Sequence, residues 1–130
     1  MNHHILVVDD DPSLCDFIAY FLNRHGFQVT TVLDGSAAVR VLDEKSVHLV
    51  ILDVILQDCN GLDLLFKIKQ THPRLPVLML TGMGYHEEVL QEARKNGASG
   101  YLSKNLAKEH LLLEVRRLLN PASPADSPVP

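Results

Sequence analysis

Five residues at four places in the chain could do chemistry together. Asp9 and Asp10 follow the apolar run Ile5-Leu6-Val7-Val8, and Asp53 ends the run Leu49-Val50-Ile51-Leu52. Thr81 ends Val77-Leu78-Met79-Leu80, and Lys104 follows Gly100-Tyr101-Leu102-Ser103. Three carboxylates held close repel one another, and a divalent cation relieves the repulsion. Oxygen-only donors with room for water suit Mg²⁺, or Mn²⁺, over zinc. An Asp can act as a nucleophile and become an aspartyl phosphate. A bound metal would neutralise an incoming phosphoryl group and align it for in-line attack. Thr81 can donate its hydroxyl to a phosphoryl oxygen, and Lys104 brings a mobile cation.

These residues meet only if the elements carrying them bring their ends together. Short, continuously apolar runs fit strands buried on both faces. A charge is costly inside such a strand, but its last residue can emerge into water. Between the runs, helical spacing recurs. Asp11 can cap a first helix, Pro12 suits its first turn, and Gly26 stops it; Leu14, Phe17, Ile18, Phe21 and Leu22 share one face. Phe27 to Val32 alternates apolar and polar residues, as an edge strand would. Asp34-Gly35 reads as a turn before a short helix with Ala38, Val41 and Leu42 inward. After Asp53 a turn closes at Gly61, and Leu62, Leu65, Phe66 and Lys69 follow helical spacing until Pro73 and Pro76 break it. A weaker helix covers roughly 85–95 and stops at Gly97. The last carries Leu111, Leu112, Val115, Leu118 and Leu119.

Strands thus alternate with helices five times, which predicts an α/β fold: a doubly wound, five-stranded parallel sheet. Strands one, three and four read as buried, two and five as edges. The order 2-1-3-4-5, borrowed from flavodoxin-like folds, meets that requirement. Such sheets bind ligands at the carboxyl ends of their strands, so the five residues would share one rim.

The 130 residues predict one domain over 1–120, followed by a Pro-rich disordered tail or linker stub over 121–130. A formal charge of −4 argues against direct nucleic-acid binding by this chain. No apolar run reaches the roughly 18 residues of a membrane span, and no secretory layout opens the chain. A cytoplasmic protein without membrane attachment is expected. Cys15 reads as core filler and Cys59 as a passive loop residue. The histidines show no metal-ligand spacing, and His3 and His4 are expected to be solvated at a frayed end.

Asp9-Asp10, Leu52-Asp53 with Gly61 eight residues on, Leu80-Thr81-Gly82, and Gly97-Ala98-Ser99-Gly100-Tyr101-Leu102-Ser103-Lys104 occur in that order. Together they resemble the receiver domain of response regulators in two-component signalling, over about residues 3–120. The resemblance implies that Asp53 accepts a phosphoryl group from a sensor histidine kinase or a phosphotransfer protein. It implies Mg²⁺ organised by Asp9, Asp10 and Asp53, with Asp10, Asp53 and the backbone carbonyl of Ile55 as direct ligands. Thr81 and Lys104 would bind phosphoryl oxygens, and Tyr101 would be a switch that turns inward when Thr81 moves. The chain would be a phosphoacceptor assisting its own phosphorylation and dephosphorylation, not an enzyme with a separate substrate. The helix near 85–95, strand five and the last helix would present the readout face to an output protein or domain, or to a second copy in a homodimer.

The chain departs from that family at two places. Gln57 stands where a Pro is frequent four residues after the acceptor, and Asn105 replaces the usual Pro after the lysine. A cis bond before a non-proline costs roughly 3 kcal/mol, so a trans bond or visible strain is expected there. Ile55 and Met83 flank the site by analogy, and their bulk would restrict hydrolytic water.

Other functions compete. Asp9-Asp10-Asp11-Pro12-Ser13 fits the nucleophile pattern of haloacid-dehalogenase-type phosphatases, yet no acidic strand-end motif follows the lysine. A pseudo-receiver binding partners without phosphorylation would not need the full acceptor set. A flavodoxin would need a phosphate-cradling loop after strand one.

Overall fold

The protein is described here by a computed structural model covering residues 3–82, 86–105 and 107–120. Met83, Tyr85 and the expected tail over 121–130 lie outside the described residues. Elements alternate as anticipated: β1 (His4–Val8), α1 (Pro12–Arg24), β2 (Gln28–Val32), α2 (Gly35–Glu44), β3 (Leu49–Asp53), α3 (Gly61–Thr71), β4 (Val77–Thr81), α4 (Glu87–Lys95), β5 (Gly100–Ser103) and α5 (Lys108–Leu119). The five strands are parallel, in the order β2-β1-β3-β4-β5.

Every residue of β1, β3 and β4 is buried, whereas β2 has none fully buried and β5 only Leu102. Strand side chains alternate between faces, and the core divides accordingly. Leu6, Val8, Val50, Leu52, Val77 and Met79 pack with α2, α3 and α4. Ile5, Val7, Leu49, Ile51, Leu78 and Leu80 pack with α1 and α5.

Local chemistry sets the helix ends. Asp11 caps α1 by accepting from Ser13 and Leu14 N–H, with Pro12 at the first position. Gly26 closes α1 at φ 91° and Gly97 follows α4 at φ 101°, a region where L side chains are strained. In both, the glycine N–H and the next N–H bond back to the last turn, as in a Schellman motif.

Four expectations are corrected. Phe17 and Phe66 are each 49% exposed: the inward stripe of α1 is Cys15, Ile18, Phe21 and Leu22, and that of α3 is centred on Leu64, Leu65 and Ile68. Asp34-Gly35 is not a free turn, since Asp34 caps α2 and Gly35 begins it. His4 is not a solvated end residue. It is 5% exposed within β1, with Nδ1 2.8 Å from the Ser46 carbonyl and Nε2 2.7 Å from Thr30 Oγ1. Its backbone N–H donates to His48 Nδ1.

Candidate functional site

The register brings the acids together. Val8 pairs with Leu52, so the next step sets Asp9 beside Asp53. On the other side Asp53 pairs with Leu80 and Thr81 with Ser103, which puts Lys104 just past the rim; its N–H donates to the Thr81 carbonyl at 2.8 Å. Asp9, Asp53 and Thr81 are 2%, 6% and 1% exposed, and Asp10 is half-buried.

Lys104 Nζ lies 2.8 Å from Asp9 Oδ2 and 3.0 Å from Asp53 Oδ2. The other Asp9 oxygen accepts from the Asp11 N–H at 2.9 Å. Asp53 Oδ1 receives a long bond, 3.4 Å, from the Ile55 N–H. Burial pushes the Asp53 carboxyl above its ordinary value, with the charge of Asp9 adding to the rise and Lys104 opposing it. Burial pulls Lys104 down, but its contacts with the two carboxylates outweigh that and leave it above the usual lysine range.

Donor atoms of Asp9, Asp10 and Asp53 lie within 4.8 Å of one another. Three carboxylates against one ammonium leave two negative charges uncompensated within this group, and every donor is oxygen. That set fits a hard divalent cation. Asp9 and Asp53 each meet Lys104 and one backbone N–H.

Loop 54–60 lies against this rim. Gly61 N–H closes it onto the Val54 carbonyl, 2.6 Å away, and Leu56 N–H reaches the Cys59 carbonyl at 3.2 Å; neither bond uses the Ile55 carbonyl. A Cβ on Gly61 would lie 2.0 Å from the Asp53 carbonyl oxygen, so only glycine fits. The Ile55 side chain is 54% exposed. The Tyr101 hydroxyl is buried, which pushes its pKa up; the Thr81 hydroxyl beside it opposes the rise.

Among the described residues no peptide is cis, so Lys104–Asn105 is trans, and the Asn105 N–H rests on Ser103 Oγ at 3.1 Å. Asp11, which the phosphatase pattern needs at the site, is committed to capping α1. The structure thus gathers all the expected site residues: Asp9, Asp10, Asp53, Ile55, Thr81, Tyr101 and Lys104.

The sequence profile of the response regulator receiver domain matches residues 5–116. The chain belongs to that family. A probable transcriptional regulatory protein of Mycobacterium tuberculosis, TcrX, is 36% identical over 115 residues, covering 88% of this chain and 49% of its own. A CheY-like receiver domain protein from Methanospirillum hungatei superposes with a TM-score of 0.89 at 25% identity, covering 93% and 96% of the two chains. The BeF3-activated receiver domain of DrrB gives 0.84 at 33% identity, covering 92% and 99%. The chain spans about half or less of the length of the first curated relatives it matches, 49% of one and 29% of the next. As a receiver domain it serves two-component signal transduction, and no described helix is long and apolar enough to cross a membrane.

One contact at this site escaped the sequence reading. Asp58, in loop 54–60, accepts from Gly35 N–H at 2.9 Å, Ser36 N–H at 3.1 Å and Ser36 Oγ at 3.2 Å. No local pattern signals a bond between groups 23 residues apart.

Proposed function

We propose that this receiver domain is a cytoplasmic phosphoacceptor in which Asp53 takes a phosphoryl group from the phosphohistidine of a sensor kinase or phosphotransfer protein. The observation that supports it best is the Asp53 carboxylate, buried at a strand end between Asp9 and the Lys104 ammonium. A carboxylate oxygen of Asp53 forms the new O–P bond as the P–N bond breaks, and the imidazole leaves with the electron pair. Mg²⁺, or Mn²⁺, would be held by Asp10, Asp53 and the Ile55 carbonyl with Asp9 behind them, and would supply charge neutralisation for the entering group. Lys104 offers its ammonium to a phosphoryl oxygen, and Thr81 its hydroxyl. The same residues assist gain and loss of the group; the chain turns over no separate substrate.

The switch needs more than one contact. Moving an equilibrium from 1:99 to 99:1 takes about 5.5 kcal/mol. An ion pair at contact gives at most about 4 kcal/mol at an effective dielectric of 20, before desolvation. Lys104 therefore acts with Thr81 and with the packing of Tyr101 beside it. The readout face is α4, β5 and α5, open to an output protein or domain or to a second copy of the chain.

Incubation with a radiolabelled acyl phosphate and Mg²⁺, followed by peptide mapping, tests this. Label on Asp53, lost in Asp53→Asn, is expected. Label persisting on the same peptide in Asp53→Asn would remove the assignment.

A further inference from the structure

Loop 54–60 buries Val54 and Leu56 in the core, and its hydrogen bonds are of two kinds. The closures Gly61 to Val54 and Leu56 to Cys59, and the Asn60 side chain on the Leu62 N–H at 2.7 Å, join the loop only to itself and to the start of α3. None of these bonds ties the outer part of the loop, 57–59, to another βα unit. Asp58 is different, because its carboxylate grips another βα unit. It takes the N–H groups of Gly35 and Ser36, while Asp34 takes that of Ala37. Between them the two acids satisfy the first three N–H groups of α2, which the helix itself leaves unpaired. A carboxylate at a helix N-terminus also meets the favourable end of the helix dipole. Those bonds, Gly35's foremost, hold the Asp58 carboxyl below its usual range.

The fit on the other side is equally close. A Cβ on Gly35 would lie 2.6 Å from Cys59 Sγ and 3.4 Å from Asp58 Oδ1, so the loop seats against a residue with no side chain. Gln57, next to the clamp, is exposed and brings no conformational restriction of its own.

We propose that Asp58 is a positioning residue for phosphoryl acceptance: by clamping loop 54–60 to the N-terminus of α2, it holds the Ile55 backbone where the site needs it. This rests on the reading of Asp53 as acceptor, but its test does not depend on that reading alone. Outer groups that orient metal ligands commonly govern affinity by tenfold or more. Here the hold is exerted through the backbone.

The test compares the full chain with Asp58→Ala, Asp58→Asn and Ser36→Ala. Amide hydrogen exchange reads the clamp at Gly35 and Ser36, calorimetric titration reads Mg²⁺ affinity, and labelling by an acyl phosphate reads acceptance. In Asp58→Ala the two amides should lose protection, Mg²⁺ should bind about tenfold more weakly, and labelling should slow in step. Asp58→Asn, which keeps one acceptor oxygen, should fall between, and Ser36→Ala should stay near wild type. Unprotected amides with Mg²⁺ affinity and labelling within about twofold of wild type would reduce Asp58 to a helix cap and overturn the proposal. Unchanged protection would overturn it too. If wild type took no label, the acceptor reading would fail, and Mg²⁺ affinity would still decide the role of Asp58.

Discussion

Lys104 Nζ meets Asp53 Oδ2 at 3.0 Å across 51 residues of chain, and the same ammonium holds Asp9 at 2.8 Å. One cation from β5's end thus ties the ends of β1 and β3. In Lys104→Met two buried carboxylates would face each other without it. Breaking a buried pair costs about 3 kcal/mol or more, so urea midpoints in chelator should fall accordingly. Mg²⁺ should restore part of the loss; equal losses with and without Mg²⁺ would contradict the shared-charge picture.

Asp53 bears on stability as well as on acceptance. Its folded pKa is raised, so the folded protein holds this proton more tightly than the unfolded chain. The resulting stabilisation is full below the ordinary Asp value and is lost as pH rises through the folded pKa. Above that folded pKa, without metal, the ionised group is therefore a burden. Asp53→Asn should raise the melting temperature in chelator and weaken the further rise caused by Mg²⁺. Calorimetry checks both, and a lower melting temperature in chelator would count against the assignment.

Lys104 follows the same sense in a more alkaline window. Its pKa is raised, so its contribution is full below the ordinary lysine value and disappears as pH climbs through the higher folded value. Alkaline unfolding of Lys104→Met should lack that last loss, as a pH series of urea midpoints would show.

Gly61 is irreplaceable for steric reasons. A Cβ there would collide with the backbone of Asp53 and Val54. Gly61→Ala should cost roughly 3 kcal/mol by overpacking and slow labelling by displacing the loop. Wild-type stability in urea would refute the contact.

Ile55 stands two residues after Asp53 with its side chain half-exposed, and its apolar bulk should delay water. Ile55→Asn should shorten the lifetime of labelled protein in Mg²⁺, measured by release of inorganic phosphate. An unchanged lifetime, or rapid loss from wild type, would remove Ile55 from that role.

Cys15 should be silent toward thiol reagents at pH 8. It is 2% exposed, and burial together with nearby Asp9 pushes its pKa up to about 11. Labelling should await unfolding, and fast modification of the native protein would show that α1 opens.

The strand ends were legible because each closes an apolar run and a parallel sheet carries all such ends to one side. Asp9, Asp53, Thr81 and Lys104 followed from that. The register that sets Asp9 beside Asp53 is not written in any local pattern, since a run of four apolar residues pairs equally well one step either way. His4 was misjudged for a related reason. Chain-end position suggested water, while its partners Thr30, Ser46 and His48 lie 26 to 44 residues away. The exposed rings of Phe17 and Phe66 show the limit of helical spacing, which names a stripe but not its centre.

The sheet parts the interior into two apolar compartments, one roofed by α1 and α5 and the other by α2, α3 and α4. Neither compartment's side chains interlock with the other's except through the backbone of the strands. Packing lost on one side therefore reaches the other through the strands they share. Asp53 ends the strand that lends Val50 and Leu52 to one compartment and Leu49 and Ile51 to the other.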